Sequence, residues 1–214
     1  MPGEISLAHR GVLFLDEFPE FPRSTLESLR QPIEDGIICI SRAAGSISFP
    51  CRFLLIAASN PCPCGYLGHP TKKCSCSFYS VQQYRKRLSG PILDRIDIHV
   101  DIPPVKEEKL ISNEKAESSS AVRERVCVTR QKQIKRFGKP QTNAEMNSNQ
   151  IRTMCTMSDA ASTLLKTAIS RLSLSARSYF KMIKIAQTIS DLENTDRIEG
   201  KHIAEALQYR PKEE

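Results

Sequence analysis

Three things are missing from this sequence, and each absence narrows the reading. No apolar run approaches the roughly 18 residues that a membrane span needs. The N-terminus, Met1-Pro2-Gly3-Glu4-Ile5, has neither the basic nor the apolar region of a signal peptide. Nowhere does a Gly-x-x-x-x-Gly-Lys-Ser/Thr loop occur, the motif whose backbone amides and lysine cradle phosphates. The first two absences predict a soluble, cytoplasmic protein without a membrane partner. The third predicts that the chain alone binds nucleotides poorly and does not hydrolyse them.

What is present is ample for a core. Of 214 residues, 40% are apolar and 26% charged, enough for one large domain or two small ones. Thirty-one Lys and Arg against twenty-four Asp and Glu give a net charge of +7. Such an excess favours polyanions without naming one, and equally describes a solvated surface. Four of the eight Cys fall in Cys62-Pro63-Cys64 and Cys74-Ser75-Cys76. In a chain without an export signal, that spacing favours metal over disulfides.

The first hundred residues alternate extended and helical signals. The apolar run 11–15 reads as a buried strand ending at Asp16 and Glu17. Pro22 opens a helix with Leu26, Leu29 and Ile33 on one face, which Pro32 kinks or ends near Gly36. Segments 37–42 and 46–49 form a hairpin around Ala43-Ala44-Gly45, with Gly45 relieving the turn. A second buried strand, 53–58, ends at Ser59-Asn60, a helix covers 81–88, and the strict alternation of 96–102 predicts another strand. Beyond Pro103-Pro104 a polar connector leads to a basic helix over 121–137. Gly138-Lys139-Pro140 breaks the chain again. Helices then begin at Ser158, Ser175 and Gly200, with Leu164 to Leu172, Tyr179 to Leu192 and Ile203 to Leu207 turned inward.

These signals divide the chain into an α/β part at 1–104 carrying a Cys-rich loop at 61–77, a charged connector with a basic helix at 105–140, and an all-α domain at 141–214. A strand ending in Asp16-Glu17 sets two carboxylates at the C-terminal edge of an α/β sheet, where ligands bind. Asp16 can hold a nucleotide's Mg²⁺ through water, and Glu17 can polarise attacking water. The same residues also fit a plain acidic loop. Asn60, if its strand neighbours the first, lies beside Glu17 and can orient that water; as an isolated Asn-Pro it is a turn former.

Taken in order, Gly11-Val12-Leu13-Phe14-Leu15-Asp16-Glu17, Leu29-Arg30-Gln31-Pro32-Ile33-Glu34-Asp35-Gly36, Ala58-Ser59-Asn60-Pro61-Cys62 and Gly90-Pro91-Ile92-Leu93-Asp94-Arg95 resemble the magnesium-chelatase-like AAA+ ATPases. The closing stretch 174–210 is similar to the C-terminal helical domain of the ComM (YifB) type. That type is a bacterial group associated with natural transformation and DNA branch migration. The resemblance implies a partial AAA+ three-layer α/β sandwich, from Walker B onward, followed by a helical lid. It makes Asp16 and Glu17 the Walker B pair, Asn60 sensor 1, Arg95 an arginine finger reaching a neighbour's nucleotide, and Arg177 the sensor 2 residue of the lid. Outside the resemblance, Arg95 reads as a surface residue paired with Asp94 or Asp97, and Arg177 as a solvated helix-start residue.

The resemblance further implies Mg-ATP as cofactor, DNA as partner and self-association into a ring, a hexamer. Walker A stands upstream of Walker B in this family, so the chain reads as a C-terminal part whose Walker A segment can sit on another polypeptide. An ATPase subunit of a metal chelatase, and a non-catalytic zinc-containing DNA-binding or assembly module, are the alternatives.

The Cys loop has its own chemistry. Cys62, Cys64, Cys74 and Cys76 supply four sulfurs, which suit structural Zn²⁺, with reduced or redox-active thiols as the other reading. His69 can replace one ligand or be an ordinary loop residue. Lys72 and Lys73 can balance thiolate charge or touch DNA. Arg42, near the tip of a hairpin resembling the family's presensor-1 insertion, is the candidate strand contact. The remaining cysteines, Cys39, Cys51, Cys127 and Cys155, read as buried small apolar residues.

Overall fold

The computed structural model describes residues 3–42, 45–88, 90–105 and 116–211, with the backbone alone at positions 41 and 42. The chain divides into two compact units, Met1–Ile96 and Asp97–Glu214. The architecture is mixed α/β in the first and helical in the second.

In the first unit, α1 (Glu4–Leu7) precedes β1 (Val12–Leu15) and a short 3₁₀ turn (Phe18–Glu20). Then come α2 (Arg23–Ser28), α3 (Arg30–Asp35), β2 (Ile37–Arg42), β3 (Gly45–Pro50), β4 (Leu54–Ala57), α4 (Phe78–Lys86) and α5 (Gly90–Leu93). The helical stretch after Pro22 breaks at Leu29, upstream of Pro32. Restarting at Arg30 places Pro32 in the first turn of α3, where an amide proton has no intrahelical partner to lose. Gly36 closes α3 at φ 66°, a conformation that strains any side chain, and an added Cβ would meet Arg52 Cγ at 2.9 Å.

β1 and β4 pair in parallel, from Val12 opposite Leu54 to Leu15 opposite Ala57. β2 and β3 form the expected antiparallel hairpin. Gly45 is paired with Arg42 at the base of the turn rather than within it, and takes φ 136°; residues 43 and 44 lie outside the described set.

Alternation along β1 turns Leu13 and Leu15 inward against Phe18, Leu26, Leu29 and Ile92, the core of this unit. Burying each of these side chains contributes about 1.5–3 kcal/mol. The other face is bare: Val12, Phe14, Leu54 and Ile56 are 45–59% exposed. Parallel sheets are ordinarily covered on both faces.

The strand expected at 96–102 does not form. No described strand pairs with it, Ile98, Val100 and Ile102 are exposed, and the His99 N–H donates instead to the Tyr209 carbonyl at 2.8 Å. Period-two alternation describes extended backbone, and extension becomes a strand only with a ladder partner.

The second unit contains α6 (Ser119–Phe137), α7 (Ser148–Met154), α8 (Asp159–Leu172), α9 (Ala176–Leu192) and α10 (Gly200–Gln208). Hydroxyls of Ser118, Ser158 and Ser175 cap α6, α8 and α9 by accepting backbone N–H bonds. Ile151, Leu165, Met182, Ile183, Ala186, Ile198, Ile203 and Ala206 form its core. Leu192, expected inward, is 39% exposed in the last turn of α9. A buried polar knot accompanies the core. Asp191, at 1% side-chain exposure, accepts a bidentate pair from Arg136 and further bonds from Asn143 Nδ2 (2.8 Å) and Gln187 Nε2 (3.1 Å). With its lone pairs shared among three donors, the buried carboxylate is compensated.

Candidate functional site

Two arrangements in the first unit carry chemistry. The first lies at the C-terminal edge of the parallel pair. The ladder continues past β1 and β4 through Ala58 N–H to Leu15 O (2.9 Å) and Phe18 N–H to Ala58 O (2.8 Å). Glu17 therefore follows one strand and Asn60 the other at the same sheet edge. Asp16 and Glu17 are exposed, and Asp16 Oδ1 accepts the Glu17 backbone N–H at 2.8 Å. Glu17 itself sits at φ 49°, ψ 43°, a left-handed conformation for a non-glycine residue. Such strain is retained where the surrounding structure dictates it, and it concentrates at functional sites. Two acceptor groups and an amide beside a sheet edge can hold a hydrated cation and orient water.

Asn60 is also tied to the Cys loop. Its backbone N–H faces the phenol of Tyr84, a buried residue of α4 whose pKa burial and the Glu20 carboxylate push up. Its side-chain oxygen lies 3.9 Å from the Cβ position of Gly65, which adopts φ 78°.

Arg95 turns inward. It donates from Nη2 to Glu34 Oε2 at 2.6 Å and from Nη1 to the Pro91 carbonyl at 2.5 Å, at 11% side-chain exposure. Its ion-pair partner is Glu34, neither of the neighbouring aspartates named from sequence; a helical turn separates Arg95 from Pro91, and Glu34 reaches it from the end of α3. Arg177 stands exposed in the first turn of α9, in the second unit. The side chain of Arg42 lies outside the described residues.

The second arrangement is the Cys cluster. The sulfurs of Cys62, Cys64, Cys74 and Cys76 all lie within 4.8 Å of one another, with Cys62 fully buried. Separations are 3.4 Å for Cys62–Cys64, 3.7 Å for Cys62–Cys74 and 3.5 Å for Cys64–Cys74. A disulfide needs about 2.05 Å. Four sulfurs around Zn²⁺ at about 2.3 Å stand about 3.8 Å apart in a tetrahedron, close to the observed spacing.

The backbone prepares this cluster. The N–H groups of Tyr66 and Ser75 face the Cys64 sulfur and lower its pKa to about 5. The Cys76 N–H acts likewise on Cys74, but burial and the adjoining sulfurs outweigh it and hold that thiol up at about 12. Without metal, the Cys64 thiolate thus lies beside the raised thiols of Cys74 and Cys76. A divalent ion would remove the remaining protons.

His69 is not a member of this group. Its Nδ1 accepts backbone N–H bonds from Thr71 (3.2 Å) and Lys72 (3.0 Å), so it shapes the loop. Lys72 Nζ stands 5.0 Å over the Tyr66 ring. Of the isolated cysteines, Cys51 and Cys155 are buried as expected. Cys39 and Cys127 are exposed, one on the hairpin and one on the outer face of α6. Sequence reasoning missed the roles of Tyr84 and Glu34, because no local pattern encodes contacts across 24 and 61 positions.

A parallel strand pair ending in adjacent carboxylates and an amide is a sheet edge of the kind at which α/β proteins bind ligands, and a helical unit follows it in the chain. The model for magnesium chelatase, subunit ChlI, matches residues 1–110, and that for the ChlI C-terminal domain matches residues 116–210. The chain belongs to this family, and within it to the ComM type. It is 44% identical over 210 residues to competence protein ComM of Haemophilus influenzae, covering 98% of this chain and 40% of that protein. To the YifB protein of Escherichia coli it is 43% identical over 212 residues, covering 98% of this chain and 41% of that one. Magnesium-chelatase subunit ChlI of Chlorella vulgaris is 28% identical over 109 residues, 51% of this chain and 25% of its own length. The chain thus spans about two fifths of the ComM-type relatives it matches.

Proposed function

We propose that this chain supplies the Walker B, sensor and lid elements of a ring-forming, cytoplasmic AAA+ ATPase that moves on DNA during natural transformation or recombination. The observation that carries this reading is the placement of Asp16, Glu17 and Asn60 at one C-terminal sheet edge by the parallel pairing of β1 and β4. Asp16 would hold Mg-ATP through metal-bound water. Glu17 would take a proton from attacking water that Asn60 orients. Arg95, released from Glu34, would reach the nucleotide of an adjacent subunit, and Arg177 would contact phosphate from the lid. The phosphoryl group and Mg²⁺ come with the nucleotide. No Gly-x-x-x-x-Gly-Lys loop occurs in the sequence, so the phosphate cradle would come from another segment or polypeptide, and this chain by itself would not hydrolyse ATP.

Identity of 44% to ComM along 98% of the chain, against 28% along 51% of it to the chelatase subunit of Chlorella vulgaris, supports a DNA-acting motor over a chelatase subunit. The sulfur spacing supports one structural Zn²⁺ held by Cys62, Cys64, Cys74 and Cys76. The hairpin carrying Arg42, and Lys72 and Lys73 in the loop, are the proposed DNA contacts.

The test is ATP binding and turnover by a longer protein containing this segment. Glu17→Gln should bind ATP with little change and lose turnover by about 10²-fold or more. Normal turnover in that variant would refute the assignment.

A further inference from the structure

The Cys loop contains a repeat: Cys62-x-Cys64-x-Tyr66 and Cys74-x-Cys76-x-Phe78. Because the four sulfurs converge within 4.8 Å, the two aromatic residues spring from the same knot, each two positions beyond a ligand cysteine. They do not turn back into a core. Phe78 is 79% exposed, Tyr79 beside it 70% and Tyr66 39%. Leaving such side chains in water forgoes their burial energy, so aromatic surface of this extent marks a site of contact.

The helix that follows points the same way. Val81 and Tyr84 face inward on α4, and at 100° per residue the opposite side carries Tyr79, Gln82, Gln83 and Lys86, all exposed. Lys72 and Lys73 stand between the cysteine pairs, with Lys72 poised over Tyr66. Electrostatics is one-sided: from position 36 to position 93 there is no Asp or Glu, against seven Lys and Arg. Four thiolates around a divalent ion add two negative charges, and the stretch stays positive.

From this geometry we infer that the Cys loop and the outward face of α4 dock single-stranded nucleic acid, with Tyr66, Phe78 and Tyr79 stacking on bases and Lys72, Lys73 and Lys86 meeting phosphates. Splayed bases offer open faces to aromatic side chains, whereas duplex bases already stack on one another. The two glutamines supply hydrogen bonds to whichever base edges pass. The proposal deepens the DNA-acting reading above and needs no nucleotide.

Fluorescence anisotropy of the full chain, supplied with one equivalent of Zn²⁺, tests it with a labelled oligothymidylate of about twenty nucleotides and the corresponding duplex. The single strand should bind more tightly than the duplex. Tyr79→Ala should weaken binding about tenfold, Phe78→Ala with Tyr79→Ala by more, and Tyr79→Phe should restore it. Lys72→Gln with Lys73→Gln should flatten the salt dependence. Zinc content and circular dichroism of each variant confirm that the knot is intact.

If the double aromatic variant binds like the wild type, this surface is wrong while the DNA reading survives. If neither strand form binds to the wild type, both fall. Tighter duplex binding overturns the single-strand assignment. A dimer abolished by the double variant, with oligonucleotide affinity unchanged, would give the face to a second copy of the chain and overturn it too.

Discussion

Glu17 occupies left-handed backbone where glycine would rest without strain. The fold holds it there because Asp16 accepts its N–H and Phe18 N–H is bound to the Ala58 carbonyl. Glu17→Gly should therefore raise stability by about 0.5–1 kcal/mol in thermal or denaturant unfolding, while removing the carboxylate that the proposed turnover needs. Cys64 gives a second test. With its pKa near 5, set first by the Tyr66 N–H, it is a thiolate in the metal-free loop at neutral pH, and Cys74 near 12 is a thiol. After chelation, iodoacetamide should label Cys64 first, at a rate nearly flat above pH 6 or so. Zinc should protect all four cysteines. Equal labelling of Cys64 and Cys74 would contradict the backbone's role.

Elements differ in how far local sequence dictates them. β1 and β4 were legible because an apolar run of four to six residues closed by polar ones is too short for a buried helix and fits a buried strand, and that legibility carried Asp16, Glu17 and Asn60 with it. The caps at Ser158 and Ser175 were equally local. Segment 96–102 had the right period and no partner. The junction of α9 and α10 was invisible for another reason: Glu193 meets Lys201 and the buried His202 only once both helices are in place. Hydrogen bonds first from Lys201 and then from His202 hold the Glu193 carboxyl below its ordinary value of 4.5. A depressed folded-state pKa contributes stability above the unfolded value, and that contribution is lost as pH falls through the folded one. Glu193→Gln should thus lower the melting temperature at pH 7, and the difference should narrow as the pH falls below the carboxyl's ordinary value of 4.5. A constant difference across that range would mean that the pair contributes by packing alone.

For the whole molecule, the proposed ring makes the sharpest demand on Arg95. Its guanidinium is bound to Glu34 and Pro91 within one unit. Action on a neighbour's nucleotide would require that pair to open as subunits meet. In a longer protein, Glu17→Gln and Arg95→Ala should each abolish turnover, the second by about 10³-fold or more if the finger acts in trans. Mixing the two inactive proteins should restore part of the activity, since some interfaces then combine an intact Glu17 with an intact Arg95. No recovery despite demonstrated subunit exchange would leave Arg95 as a structural partner of Glu34.

The bare side of the β1–β4 pair bears on mutational tolerance. A threonine at Phe14 or Ile56 gives up little burial in this chain, because Phe14 is 58% and Ile56 45% exposed. Placed in a longer relative where another layer dries that face, the same hydroxyl would be stranded without a partner. The two backgrounds would accept opposite alphabets at positions 12, 14, 54 and 56. Under selection, polar letters would accumulate there where the face stays wet and vanish where it is covered, so four codons would record whether the sheet ever works alone.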